Sequence, residues 1–433
     1  MSRLSALPRR TFGEIEGYRF LAAFFVLAFH SWQNLRHDNV YPYAHVRWFW
    51  PTALAAADVV LAIFFIVSAV LLSLPAARAI LSGRSIEPAR GFIERRLIRV
   101  IPLYYLLVIT IWVCRNYGYP GNWLDLVEHL TFTQWLDSKR IFYTIGPAWM
   151  LSVEVWFYLL IPILGMVGAR TLRHVGSRIA RFYLSAGALL TLVAGSLGYK
   201  WYVAVVLKVP RDHWAWYFGV PAKLDIFCIG MLLALLIAAR DGRLLPSWCG
   251  WTIRAAAVAI LVTVYGPMHQ SLHWGLYAPT FAALPVAMFM APIFLCRPTV
   301  LTRVLGCRLM LQLGLWTYAL YLVHEPLLGP LTRIGLLGST PGTLPRNVVV
   351  LLAISIVLAA ALYELVESPA NRLRVSIDRA GRAIDYYPLL SDTTVDAGVP
   401  MPKPRRQRVL AKTPVGPAAQ AQPVQKPPMQ QPV

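Results

Sequence analysis

Arg19 and His30 stand eleven residues apart in the first apolar run of the chain. That spacing is just over three turns of an α-helix, so both side chains leave one helix from nearly the same face, roughly 16 Å apart along its axis. An imidazole takes and returns protons near neutral pH, and a guanidinium grips anions through a fixed fork of donors. The pair therefore offers a base at one end of a helix and an anion anchor at the other. Taken singly, an interfacial histidine is more often an inert hydrogen-bonded residue, and an arginine a snorkelling anchor. The pair gains weight only from further groups at matching depth.

Such groups are present. Ionisable side chains inside a membrane span cost several kcal/mol unless paired, wetted or at an end, so the few that occur mark candidate chemistry. Glu154 falls a turn or two below the outer surface on a fourth run that starts near Trp149, Lys223 and Asp225 do the same on a sixth, and His324 lies about one turn below it on a ninth. Four helices thus place His30, Glu154, Asp225 and His324 at similar depth, which predicts a shared polar cavity in the outer half. At the opposite end Arg95-Arg96-Leu97-Ile98-Arg99 sets Arg96 and Arg99 on one helical face. Two readings stay open there: ordinary basic anchoring, or a site for a nucleotide phosphate. Ser152 lacks a GxSxG elbow and is not assigned as a nucleophile. His269 and His273 have the i, i+4 spacing of metal ligands but sit in an expected loop without HExxH context. The cysteines Cys114, Cys228, Cys249, Cys296 and Cys307 show no CxxC spacing, so no metal site and no disulfide framework is expected.

The elements that must hold these residues follow from composition. Of 433 residues 57% are apolar and 14% charged, against about 25% charge in a soluble domain. The apolar residues gather in runs that can cross a bilayer core of roughly 30 Å. Ten spanning helices are expected, over residues 18–34, 52–74, 98–115, 148–168, 180–198, 218–239, 251–266, 276–296, 309–329 and 347–367. The seventh is short and holds Arg254. The first, with Arg19 and His30 and no small-residue cleavage site after it, reads as a retained helix and not a signal peptide. A formal net charge of +21 would suggest nucleic acid on a soluble chain, but the 41 Lys and Arg sit almost entirely between the runs. Alternate connections hold 27 against 9 of them, which predicts cytoplasmic termini and accounts for the charge as a topogenic signal with some attraction to anionic lipid. No nucleic-acid partner is expected. Asn122 to Asp137, in the longest outer connection, reads as an amphipathic surface helix with Trp123, Leu124, Val127, Leu130 and Trp135 on its apolar side. Residues 1–385 form the membrane domain in this reading, and 386–433, rich in Pro, Gln and Ala with a basic run Lys403-Pro-Arg-Arg-Gln-Arg408, form a disordered cytoplasmic tail. The fold class expected is an all-α polytopic membrane protein in the inner membrane.

With the residues in view, the chain resembles the acyltransferase 3 family, bacterial ten-helix membrane enzymes that place acyl groups, most often acetyl, on carbohydrates and related acceptors. The resemblance runs from about Ile15 to Leu373. Its opening motif is a basic residue, ten residues, then His, matched by Arg19 and His30. Further matches are Phe64-Phe-Ile-Val-Ser68, Arg95-Arg-Leu-Ile-Arg-Val-Ile-Pro-Leu-Tyr104, Pro147-Ala-Trp-Met-Leu-Ser-Val-Glu154 with Phe157-Tyr158, and Leu224-Asp-Ile-Phe-Cys-Ile-Gly230. Thr317-Tyr-Ala-Leu-Tyr-Leu-Val-His324 with Pro326, and Tyr363-Glu-Leu-Val-Glu-Ser-Pro369, complete the order. Glu16, Ala69, Val155, Trp156 and Val323 depart from the usual pattern, and the last three leave the acceptor open.

Residues and resemblance together imply an integral membrane O-acyltransferase. Acyl-CoA, acetyl-CoA above all, would bring its phosphates to Arg19, Arg96 and Arg99 from the cytoplasm, and its pantetheine arm would reach toward His30. His30 would act as general base, with Glu154 orienting it or carrying its proton onward; Asp225, His324, Trp149 and Tyr158 would shape the side of a carbohydrate or glycolipid acceptor. A two-step route through an acyl-enzyme fits the same residues. Buried histidines and carboxylates also build proton relays, so a transporter or flippase is the rival from another class, and an acyltransferase for a small-molecule or lipid acceptor the rival within the class. The lack of an evident inverted repeat counts against transport.

Overall fold

The computed structural model describes residues 9–35, 57–86, 89–115, 122–265 and 276–372, and every named element among them is helical. The proline-rich segment after residue 385 and the loop with His269 and His273 lie outside the described residues. Fourteen α-helices are traced: α1 Arg9–Asn34, α2 Ala57–Ser82, α3 Ala89–Arg115, α4 Trp123–Leu130, α5 Ala148–Leu172, α6 Arg178–Trp201, α7 Trp214–Phe218, α8 Val220–Arg240, α9 Ser247–Ile260, α10 Ala278–Leu295, α11 Val300–Leu305, α12 Arg308–Leu315, α13 Thr317–Arg333 and α14 Leu344–Leu362. Three of them, α6, α9 and α14, run on into a π-helical turn, over Tyr202–Val206, Leu261–Tyr265 and Tyr363–Glu367.

Among the described residues eight helices are long and apolar enough to cross a membrane: Val59–Ser82, Arg90–Arg115, Ala148–Leu172, Arg178–Val206, Trp214–Arg240, Ser247–Tyr265, Ala278–Leu295 and Pro341–Arg372. The sequence leads one to expect ten. The other two expected spans, the first and the ninth, are helical, but they are the least apolar parts of the bundle. α1 carries Glu14, Glu16, Arg19 and His30, and the ninth run is broken at Trp316 into α12 and α13. These two stretches lie side by side and point the same way. Gly314 fits against Glu16, the His30 ring meets His324, and the Asn34 side chain donates to the Thr332 hydroxyl at 3.4 Å. A Cβ on Gly314 would stand 2.5 Å from the Cβ of Glu16, so only glycine allows this approach.

α1 packs against α2, α10, α11, α12, α13 and α14, which makes it the central strut of the bundle. The interior helices differ from the peripheral ones by burial. Within the apolar windows, 67% of α8 and 72% of α10 are buried, against 17% of both α6 and α9. The peripheral helices turn side chains such as Ile109, Tyr183, Leu190, Val262 and Val357 outward. Apolar faces of that extent are stable toward lipid, where no polar solvent penalises them. At the α2–α8 contact Gly230 lies so near Ala69 that a Cβ would approach its methyl to 2.6 Å.

The outer connection departs from the expected amphipathic pattern. α4 is capped by Asn122, whose side chain accepts from the Asp125 amide. Trp123, Leu124 and Val127 do face outward together, but Leu130 and Trp135 pack against the core, and it is the polar Asp125, His129 and Gln134 that are fully buried. His129 Nδ1 lies 3.2 Å from Asp125 Oδ1, Thr144 donates to the other carboxylate oxygen, and Gln134 donates to the Tyr104 hydroxyl at 3.1 Å. These contacts satisfy the group in part: Asp125 Oδ1, His129 Nε2 and Gln134 Oε1 have no hydrogen-bond partner among the described residues.

Candidate active site

Parallel packing of α1 on α13 brings two histidines together. The rings of His30 and His324 have centroids 5.2 Å apart at 46°. Since a carbonyl can only accept, the 3.2 Å contact from His324 Nδ1 to the Leu320 carbonyl puts the ring proton on Nδ1. Its Nε2 is buried with no hydrogen-bond partner among the described residues. His30 Nδ1 is likewise held, at 3.0 Å, by Gln33 Oε1 one turn further along α1. Both imidazoles thus carry their basic lone pair on Nε2. His324 is fully buried, and His30 is partly exposed, so His30 is the one a substrate hydroxyl can reach.

Glu154 has hydrogen-bond partners of its own. Ser68 of α2 donates to Glu154 Oε1 at 2.5 Å, and the Tyr158 hydroxyl one turn further along α5 lies against the same carboxylate. The hydrogen-bond partner of His30 Nδ1 is Gln33. Tyr321 stands beside His324. Its ring packs 5.8 Å from that of His324, its hydroxyl donates to the Pro147 carbonyl at 3.0 Å, and it feels the charge of Glu154. His30, His324, Tyr321, Glu154 and Tyr158 form a polar column through an otherwise apolar interior.

The column ends in a basic group. Arg19 donates to both carboxylate oxygens of Glu16, at 3.0 and 3.1 Å, and lies within electrostatic reach of Glu154 and Tyr158. Arg99 has Arg19, Glu16, Arg96 and Tyr158 as its charged and polar neighbours, and makes no ion pair among the described residues. Arg96 stacks over the Phe92 ring at 5.9 Å. The three arginines singled out from the sequence therefore do meet, together with Glu16. Glu367 joins them: it is 5% exposed and feels both Arg99 and Arg19. Sequence reasoning gave no role to Ser68, Tyr321 or Glu367, although each lies in a matched motif. Glu367 closes the π-helical turn Tyr363–Glu367, and this wider turn is not predicted by a 3.6-residue period.

Asp225 belongs elsewhere. Expected to line the shared outer cavity, it instead makes a buried ion pair with Lys200 at 2.5 Å, receives a hydrogen bond from Thr280 on the same oxygen, and accepts the Ile226 amide at 2.9 Å on the other. The reason lies in α6, which runs on past the expected end of the fifth span and carries Lys200, placed in a connection by the sequence, into the interior. Trp149 packs against Phe65 and Phe218, with the Lys223 ammonium 5.6 Å above its ring. Arg254, the anomaly of the seventh span, is 4% exposed and ion-paired with Glu14 of α1 at 2.5 Å.

A family model described as an acyltransferase domain matches residues 12–364, which takes in every residue of the column and its basic end except Glu367. The chain is 24% identical over 337 residues to the acyltransferase MdmB of Streptomyces mycarofaciens, over 73% of this chain and 81% of that one. No solved structure matches. The chain belongs to this acyltransferase family and is a multi-pass membrane acyltransferase.

Proposed function

We propose that the protein transfers an acyl group, acetyl in the first instance, from cytoplasmic acyl-CoA to a hydroxyl of an envelope or exported carbohydrate, with His30 as the general base. The observation that carries this reading is the pair of Nε2 lone pairs on His30 and His324, joined by a polar column to a basic group at the far end of α1. Because Glu16 already occupies Arg19, the donor phosphates fall to Arg99 first, with Arg96 beside it, and Arg19 with Glu16 braces the group. The roughly 16 Å from Arg19 to His30 suits an extended pantetheine arm.

In the transfer step the acceptor O–H gives its proton to His30 Nε2 as the oxygen attacks the thioester carbonyl; the C–S bond then breaks, and the CoA sulfur leaves and takes up a proton. Protonation of His30 creates a cation, which the negative charge of Glu154 would offset through space. His324 keeps the His30 ring in register, and Tyr158 and Trp149 belong to the walls of the path. Asp225, bound to Lys200, contributes through the position of α8. In this reading α1 and the α12–α13 stretch both cross the inner membrane, which makes ten spans with cytoplasmic termini.

The test is ester-linked acetyl in envelope glycans of cells with the wild-type gene, without it, and with His30→Ala at equal protein level. Acetyl only with wild type supports the reading and identifies the acceptor fraction. Equal acetyl in all three rejects glycan acetylation.

A further inference from the structure

A second cationic site lies on the other side of α1. A pocket of about 210 Å³ is bordered by Arg78, Arg240, Arg243, Arg254 and Arg297, with Glu14 as its one acidic residue. That volume is about seven waters at liquid density, room for a phosphate or diphosphate group. Glu14 and Arg19 are five residues apart on α1, which turns them about 140° from each other. The pocket is therefore distinct from the Arg19, Arg96 and Arg99 group.

Its charge is unbalanced. Glu14 accepts from Arg254 at 2.5 Å and from Thr302 at 2.7 Å, so it is matched to Arg254, and no further acidic residue lines the pocket beside Arg240, Arg243 and Arg297. The Nε atoms of Arg240 and Arg254 are buried and have no hydrogen-bond partner among the described residues. Arg254 itself is more than nine-tenths buried. Buried guanidinium donors without acceptors are costly in a protein that offers nothing more to bind them. The walls are also built. The turn after α8, with Asp241 and Gly242 at positive φ, is tied to the strand-like stretch after α10 by Leu245 N–H to the Leu295 carbonyl at 2.8 Å and Arg297 N–H to the Leu245 carbonyl at 2.9 Å. That tie holds the backbone that carries Arg243 and Arg297 together beside the pocket. Ile237, Pro292 and Ile293 give the floor an apolar character beside the charge.

We propose that this pocket binds a phosphate ester, the phosphate held among Arg240, Arg243 and Arg297 and an apolar part of the ligand on the floor. The same chemistry is offered by an anionic phospholipid headgroup and by a soluble nucleotide. Arginine suits it through its fork of donors, each a charge-assisted bond to a phosphate oxygen.

The test uses the full chain in nanodiscs. Binding of labelled pyrophosphate is measured in discs of phosphatidylcholine alone, and retention of phosphatidylglycerol by native mass spectrometry in mixed discs. Arg243→Gln/Arg297→Gln alters two exposed side chains, and Arg243→Gln alone is the fallback should the double variant melt early. The proposal expects one probe to bind wild type and to bind the double variant about tenfold or more weaker. Loss in the pyrophosphate arm identifies a soluble ligand, and loss in the phosphatidylglycerol arm a lipid. The same difference should persist in an Arg99→Gln background. Failure of wild type to bind either probe, equal binding by the variant, or disappearance of the difference when Arg99 is changed would each overturn it.

Discussion

His30 and His324 touch, yet their surroundings give them different work. His324 is buried and bound to its own helix through Nδ1, whereas His30 is partly exposed and held by Gln33. A positioned general base contributes typically about 10²–10⁴ in rate, so His30→Ala should lower kcat by at least about a hundredfold with little change in the KM for acyl-CoA. His324→Gln keeps a donor for the Leu320 carbonyl and loses only the second ring. We expect a smaller fall in kcat there, read by steady-state release of the CoA thiol; a loss as deep as that of His30→Ala would make His324 a base in its own right. Glu154→Gln retains an acceptor for Ser68 but removes the charge beside Tyr321. It should lower kcat about tenfold, while Ser68→Ala, which leaves the carboxylate in place, should cost less. That order follows if the site uses the charge of Glu154 and not its hydrogen bond with Ser68.

At the scale of elements, buried ion pairs tie helices together. Lys200 of α6 and Asp225 of α8 meet with Thr280 of α10 in the interior. Removing one partner leaves the other buried and uncompensated, which costs about 3–5 kcal/mol. Asp225→Ala should therefore lower the thermal midpoint of the detergent-solubilised protein sharply, and Lys200→Met/Asp225→Leu should recover most of it. A variant that lost activity while keeping the wild-type midpoint would return Asp225 to the substrate site. This pair also shows where sequence reading ends. The face shared by Arg19 and His30 was legible because it needs only helical periodicity within one element, and the Arg96 and Arg99 face likewise. Asp225 was misplaced because its environment depends on how far a different helix, α6, extends. Glu154 was recognised as buried chemistry, but its partner Ser68 lies 86 positions away, and no pattern in either helix announces the contact. The polar face of α4 inverted for the same reason: Asp125 accepts from Thr144, outside the helix, and pairs with His129 one turn on.

Burial does not follow apolarity among the described helices: α8 and α10 are the most buried spans, while α6 and α9, the least apolar of the eight, face outward. α1 and the broken α12–α13 stretch carry Glu14, Glu16, Arg19, His30 and His324, and α1 packs against α2 and α10 to α14. Composition explains why two of the ten expected spans are less apolar: Glu14, Glu16, Arg19 and His30 stand in α1, and His324 and Glu325 in α13. Their common direction makes a topological prediction. In a cysteine-free background, single cysteines at Asn34 and Ile334, both exposed, should react with an impermeant maleimide from the outer face of intact cells, and one at Arg303 only after the membrane is opened. Reaction of Asn34 and Arg303 from the same side would mean that α1 does not cross. The central claim is tested most directly on purified protein in nanodiscs, by following CoA thiol release and label transfer from acetyl-labelled acetyl-CoA to a carbohydrate acceptor for wild type and His30→Ala. The account predicts acceptor-dependent release with wild type, and loss of both signals in the variant at an unchanged thermal midpoint. Equal transfer by His30→Ala would contradict it.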